Sequence, residues 1–235
     1  MDHGLRIADS GDSAVMVTAA RGDEAQRWET VHALADAIEA AGIDGVHGLV
    51  PTYDTLLVEF DCVRVGHAVV RRAIAQAARQ GRTRSRPEPA RFVVPVVYGG
   101  EHGPDLAIVA EQLGLSEQEV IDAHSGADLT VRCLGAPAGA PMMDGPAFGK
   151  PVPRLASPRT SVPAGSVAVA GRQAVICPLP SPGGWPLLGR TPLRVLDLGA
   201  ERLTAYRPGD RFRFVPIEAG DWSAHAGRGL EAVDA

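Results

Sequence analysis

Along this chain, apolar positions alternate with polar ones in some stretches and recur every three or four residues in others. Gly11-Asp12 leads into Ala14-Val15-Met16-Val17, a turn feeding a short strand. Trp28, Val31, Leu34, Ala35 and Ile38 follow at helical spacing, and Gly42 ends that stripe. Val46–Val50 reads as a second strand, Pro51-Thr52-Tyr53-Asp54 as a connection, and Thr55–Phe60 as a third strand. Val65, Val69, Ala73, Ile74 and Ala77 form another helical stripe, closed by Gly81. Given one more strand, the order β-α-β-β-α predicts a split βαβ, ferredoxin-like domain over residues 1–88: two helices on one face of an antiparallel sheet.

Beyond the Pro-containing segment 81–90 the pattern changes. Arg91–Tyr98 is a strand interrupted by Pro95, which predicts an edge strand or a bulge. Gly103-Pro104-Asp105 opens a helix with Pro104 at its first position, and Gly114 closes it. Ser116-Glu117-Gln118-Glu119 is a capping box that starts a short helix ending at His124-Ser125-Gly126. Short strands are predicted at 128–134, 165–170, 174–177, 193–196 and 211–215, with Gly/Pro turns between them. That pattern fits a β-barrel or sandwich over residues 89–218. Residues 219–235 lose periodicity and read as a mobile tail. The fold class is therefore α+β.

Composition sharpens this picture in one place. The 235 residues include 27 Gly and 19 Pro. Between Leu134 and Pro192 these two types fill 21 of 59 positions, so turns dominate that stretch. Global disorder does not fit a chain that is 45% hydrophobic. The net charge of −5 argues against non-specific nucleic-acid binding. The densest basic run, Arg82-Thr83-Arg84-Ser85-Arg86, reads as a solvated linker. No apolar run reaches the roughly 18 residues of a membrane span, and Met1-Asp2-His3-Gly4 does not look like a signal peptide. Cys62, Cys133 and Cys177 are odd in number and widely spaced, which fits free thiols in the cytoplasm. The His residues lack paired metal spacing, so no metal site is expected. Gly145–Lys150 has the wrong spacing for a phosphate loop, and Pro151 stands where Ser or Thr would bind magnesium. ATP-driven chemistry would need another subunit.

The chemistry-bearing residues cluster in the turn-rich stretch. Pro158-Arg159-Thr160-Ser161-Val162-Pro163-Ala164-Gly165-Ser166-Val167 leads to Gly171-Arg172-Gln173. Ser181-Pro182-Gly183-Gly184-Trp185 and Gly189-Arg190-Thr191-Pro192 follow. Gly183 and Gly184 would let backbone N–H groups cradle an oxyanion or carboxylate. Trp185 could supply an apolar wall, and Arg159 and Arg190 offer planar forks for anions. Gln173 can both donate and accept toward an amide. His124 could move a proton near neutral pH.

Together with Tyr98-Gly99-Gly100-Glu101 and His124-Ser125, these motifs resemble the KipI / allophanate hydrolase subunit 1 family, which includes the B-type subunits of 5-oxoprolinase. The resemblance runs from about Gly11 to Ile217. It implies a cyclophilin-like β-barrel for the second domain. It also implies an enzyme subunit that pairs with an allophanate hydrolase subunit 2-like partner, with or without a third subunit. Such a complex opens the cyclic amide 5-oxoproline to glutamate, using ATP with Mg that this chain does not bind. Carried onto this sequence, His124 would be the catalytic residue. Arg159, Gln173, Gly183, Gly184, Trp185, Arg190 and Thr191 would bind the amide or carboxylate substrate. Two other readings follow from the same family. One is a carboxyltransferase-like module of urea carboxylase or allophanate metabolism. The other is a non-catalytic KipI-like inhibitor of a histidine kinase. In Gly135–Met143, Ala and Met replace family aromatics, which predicts a wider or Met-lined pocket.

Overall fold

Alternation along two strands builds the first core. Ala14–Ala19 and Thr55–Phe60 turn Val15, Val17, Leu56, Val58 and Phe60 to one side, all fully buried. The computed structural model describes residues 4–80 and 88–233. The chain divides into two units, Met1–Glu88 and Pro89–Ala235. The first contains β1 (Leu5–Asp9), β2 (Ala14–Ala19), α1 (Glu24–Ala41), β3 (Val46–Pro51), β4 (Thr55–Phe60) and α2 (His67–Gln80). Its four-stranded antiparallel sheet runs β1-β2-β4-β3.

This is the expected split βαβ. Its additional strand precedes β2 in sequence and pairs beside it. Helix α1 opens on an Asp23–Gln26 capping box and ends at Gly42, whose φ of 55° is left-handed. It buries Val31, Leu34, Ala35 and Ile38. In α2 the buried positions are Val70, Ile74 and Ala77, while Val69 is half exposed. The expected stripe therefore holds at Ile74 and Ala77, and Val70 takes the buried place expected of Val69. The expected Gly81 stop and the Arg82–Arg86 run lie outside the described residues.

The second unit begins with β5 (Arg91–Tyr98), α3 (Leu106–Leu113), α4 (Glu117–Ser125), β6 (Leu129–Gly135) and β7 (Ala140–Asp144). It continues with β8 (Arg159–Val162), β9 (Ser166–Ala170), β10 (Gln173–Ile176), β11 (Ser181–Gly183) and β12 (Leu187–Arg190). After β13 (Arg211–Pro216) come a 3-10 turn (Ala219–Asp221), α5 (Trp222–His225) and β14 (Ala232–Val233). Strands β12-β9-β10-β7-β6-β13-β5 close into a seven-stranded barrel, because β5 also pairs with β12 at Val97↔Arg190 and Tyr98↔Gly189. Strands β8 and β11 form a separate small sheet.

Phe92, Val94, Val96, Val131, Met143 and Phe214 belong to the barrel core, against which Val109 of α3 and Val120 of α4 pack. The opposite face of the β7–β9–β10–β12 wall carries a second cluster. There Ala140, Ala168, Val175 and Leu187 pack with Val162, and Met142, Cys177 and Trp185 lean against them. Both faces of β9 are therefore covered, which explains its uninterrupted burial.

Four expectations change here. Strand β5 is not a sheet edge. Pro95 falls between Arg91-Phe92, which pair with β14, and Val97-Tyr98, which pair with β12, so the partner on that side changes at the proline. Pro104 lies outside α3, which begins at Leu106. The expected strand at 193–196 is only an isolated bridge from Arg194 to Gly229, since the barrel has already closed at β12. Finally, the segment after residue 218 is ordered through Val233: β14 joins β5 and Leu230 is buried in the core.

Candidate functional site

Backbone hydrogen bonds bring the motif segments together. Gly99 N–H donates to Leu188 O at 3.0 Å, and Asp105 N–H donates to Leu187 O at 3.2 Å. The loop 99–105 is thus stitched to β12. A Cβ on Gly103 would lie 1.9 Å from Leu188 O, so only glycine permits this approach. Asp105 does not cap α3 with its side chain. Its carboxylate instead accepts two hydrogen bonds from Arg159, at 2.7 and 2.8 Å, and one from Leu187 N–H at 2.8 Å. The Asp105 side chain is 3% exposed and that of Arg159 is 30% exposed. The Arg159 fork is therefore occupied within the chain, binding β8 to the 99–105 loop and β12.

His124, the expected proton carrier, is enclosed more deeply. It sits in the last turn of α4 and is fully buried. Its Nδ1 lies 2.7 Å from the Tyr98 hydroxyl, and its ring packs on Tyr98 and Phe214. Its Nε2 has no hydrogen-bond partner among the described residues. Burial pushes the imidazole pKa down to about 3 and pushes the Tyr98 phenol upward. Both groups are neutral at pH 7. The ring is unsuited to moving a proton near neutral pH because charging it would leave a buried cation with no counter-charge.

The Gly183-Gly184 pair is used for packing. A Cβ on Gly183 would meet Val162 Cγ2 at 3.0 Å, and one on Gly184 would meet the Pro158 ring at 3.4 Å. The Gly184 carbonyl accepts from Leu155 N–H. Neither glycine has positive φ. Gln173 starts β10 opposite Asp144 and Ala170. Trp185 is half-buried against the outer cluster, with the Arg154 guanidinium 5.8 Å from its ring. Thr191 is buried; its N–H donates to Gly165 O and its Oγ1 accepts from Leu193 N–H. Met142 and Met143 do not line a common pocket: Met143 fills the barrel core and Met142 leans on the outer cluster.

Among the expected residues, Arg190 retains unused donors. Its Nε–H donates to Ala164 O at 2.8 Å, and its guanidinium carbon lies 5.4 Å from the Trp222 ring. The same indole stacks on His102, 4.5 Å between centroids and 16° between planes. Sequence reasoning missed Tyr98, His102, Asp105 and Trp222 as site residues. The first and third were visible as motif members, and Trp222 was hidden in a segment without periodicity. A cleft of about 700 Å³ lies elsewhere, in the first unit, between the C-terminal end of α1, β3 and Arg64.

A family model for the carboxyltransferase domain, subdomains C and D, matches residues 5–205. The chain belongs to that family. The carboxyltransferase-domain chain is 35% identical over 234 residues to the B-type 5-oxoprolinase subunit of Bacillus subtilis, covering 94% of this chain and 96% of that protein. The resemblance to the KipI / allophanate hydrolase subunit 1 family therefore holds. Among solved structures, TTHA0988 superposes with a TM-score of 0.74 at 33% identity over 88% of this chain. This chain spans only 40% of that one. The Kluyveromyces lactis urea carboxylase superposes with a TM-score of 0.79 at 15% identity, over 97% of this chain and 24% of that one. That second likeness is one of fold.

In this carboxyltransferase-domain chain, Gly145–Lys150 does not fold as a phosphate loop. Gly145 is pressed against the Arg172–Gln173 backbone, and no helix follows Lys150 to present N–H groups to a phosphate. Among the described residues, no cluster of three His, Cys, Asp or Glu could hold a metal ion. No helix among them is long and apolar enough to cross a membrane.

Proposed function

We propose that this chain is the B-type component of a cytoplasmic hydrolase complex that opens 5-oxoproline to glutamate at the expense of ATP. The observation that carries this reading is the near end-to-end match to a B-type 5-oxoprolinase subunit, at 35% identity. In the reaction, one water adds across the lactam C–N bond: the carbonyl carbon takes the hydroxyl and the nitrogen takes the proton. Hydrolysis of ATP to ADP and phosphate consumes a second water. ATP with Mg is used by the complex assembled with an allophanate hydrolase subunit 2-like partner, with or without a third subunit. Cys62, Cys133 and Cys177 are all free thiols, which fits a reducing compartment. Within this chain, the guanidinium of Arg190 is suited to the 5-oxoproline carboxylate, and Trp185 offers an apolar surface nearby in sequence. His124 and the Asp105–Arg159 pair position the barrel wall and loops and do not react.

Reconstitution tests this. The chain, its subunit 2-like partner and the third subunit are mixed with 5-oxoproline and MgATP, and glutamate and ADP are measured. Glutamate is expected only when this chain is present. Equal glutamate formation without it would overturn the proposal.

A further inference from the structure

Residues 218–226 leave the barrel between two anchors. Ile217 N–H donates to Val96 O at one end, and Gly227 N–H donates to Pro192 O at the other. Gly227, with a φ of 74°, provides a natural hinge on the return. The 3-10 turn and α5 between these anchors contribute no buried residue. Only Trp222 and His225 of this stretch are even partly buried. The ring contacts of the stretch with the barrel unit are those of Trp222, to His102 and Arg190. A segment with so little buried surface opens far more readily than the barrel beneath it.

Beneath the indole lie two nitrogen-rich side chains with unused donors. The terminal amino groups of Arg190 have no hydrogen-bond partner among the described residues, since its one side-chain bond is from Nε. The His102 ring makes no hydrogen bond among them either, and its nearest carboxylate is Glu101 at 3.8 Å. The stitching of loop 99–105 to β12 holds both side chains in place. A guanidinium fork recognises a carboxylate through two parallel bonds. An imidazole that already stacks on one planar ring can stack on another and hydrogen-bond an amide.

We infer that residues 218–226 are a hinged cap, latched by Trp222, over a binding site in which Arg190 and His102 take a small planar carboxylate. The ligand replaces the indole on this platform, so latch and ligand compete. The inference rests on the functional reading above only for its choice of 5-oxoproline as the probe.

The test uses the full chain labelled with 5-fluorotryptophan, which gives one fluorine resonance for each of the three Trp residues. Loss of a resonance in Trp222→Phe assigns that of Trp222. On titration with 5-oxoproline, the Trp222 resonance is expected to move saturably, and Arg190→Gln is expected to abolish the movement. By calorimetry, Trp222→Ala is expected to bind 5-oxoproline about fivefold more tightly, the scale of one cation–π contact removed from competition. In the unmodified chain, amides of 218–226 are expected to exchange with solvent faster than those of β13. If calorimetry detects 5-oxoproline binding but Trp222 does not respond, and Trp222→Ala binds no tighter, the cap is overturned while the functional reading stands. If Trp222 responds as expected but the assembled complex makes no glutamate, the functional reading fails and the cap stands. Weaker binding in Trp222→Ala would make the indole a wall of the site and overturn the competition.

Discussion

Two histidines in the barrel unit each lie against aromatic rings, yet their surroundings give them opposite characters. His124, in the last turn of α4, meets Tyr98 and Phe214, is fully buried, and is held neutral by the cost of desolvating its charged form. His102, at the rim, stacks on Trp222 beside Arg190 and keeps its side chain 16% exposed. The Arg residues divide in the same way. Arg159 is engaged by the buried carboxylate of Asp105, whereas Arg190 keeps donors to spare. Residue type alone does not separate the members of either pair. Burial and prior partners decide which of them can meet a ligand. The interior members hold the fold and the rim members are available to bind.

Substitutions can break this contrast. The largest effect is expected at Arg159→Ala, which strands the Asp105 carboxylate in a dry site. A loss of about 3 kcal/mol is expected, the low end for a broken buried pair because Arg159 is partly exposed. Urea unfolding measures it, and a loss below about 1 kcal/mol would mean the pair is solvated like a surface one. The next effect is acid sensitivity. The His124 pKa is lowered from 6.5 in the unfolded chain to about 3 in the folded one, so below pH 6.5 the unfolded state binds the extra proton. The stabilisation is complete above pH 6.5 and is lost as pH falls toward 3. The slope is about 1.4 kcal/mol per pH unit, or about 2 kcal/mol between pH 6.5 and 5. His124→Gln should flatten that slope in melts across pH 5–7, and an unchanged slope would refute the assignment.

A smaller effect is expected for Tyr98→Phe, which removes the hydroxyl facing Nδ1. About 1 kcal/mol should be lost, with the far-ultraviolet spectrum unchanged. The smallest change in stability is expected for Trp222→Ala at the rim. It should cost under about 1 kcal/mol, since it gives up one partly exposed ring contact and one cation–π contact. A loss comparable to that of Arg159→Ala would erase the distinction between interior and rim.

Several of these outcomes were legible in the residues. Ser116 and Glu119 announced the cap of α4, which forms as a reciprocal capping box. Gly42 and Gly114 announced helix ends, and both adopt left-handed conformations there. The run of β-formers Thr55–Phe60 matched β4 to the residue. The short strands β8, β11 and β12 were not legible. Ser181-Pro182-Gly183 has neither length nor β-branched residues, and becomes a strand only because β8 lies beside it. The packing of the site segments was not legible either. Asp105, which claims Arg159, is far from it in sequence, and Trp222 belongs to no periodic pattern.

By itself, the sequence determined the family and the two-part α+β organisation, because motifs, capping, alternation and turn chemistry act between near neighbours in the chain. Tertiary structure alone decided which polar groups remain available. Desolvation of His124, capture of Arg159 by Asp105 and the placement of Trp222 over Arg190 all depend on what the closed barrel brings together from distant parts of the chain.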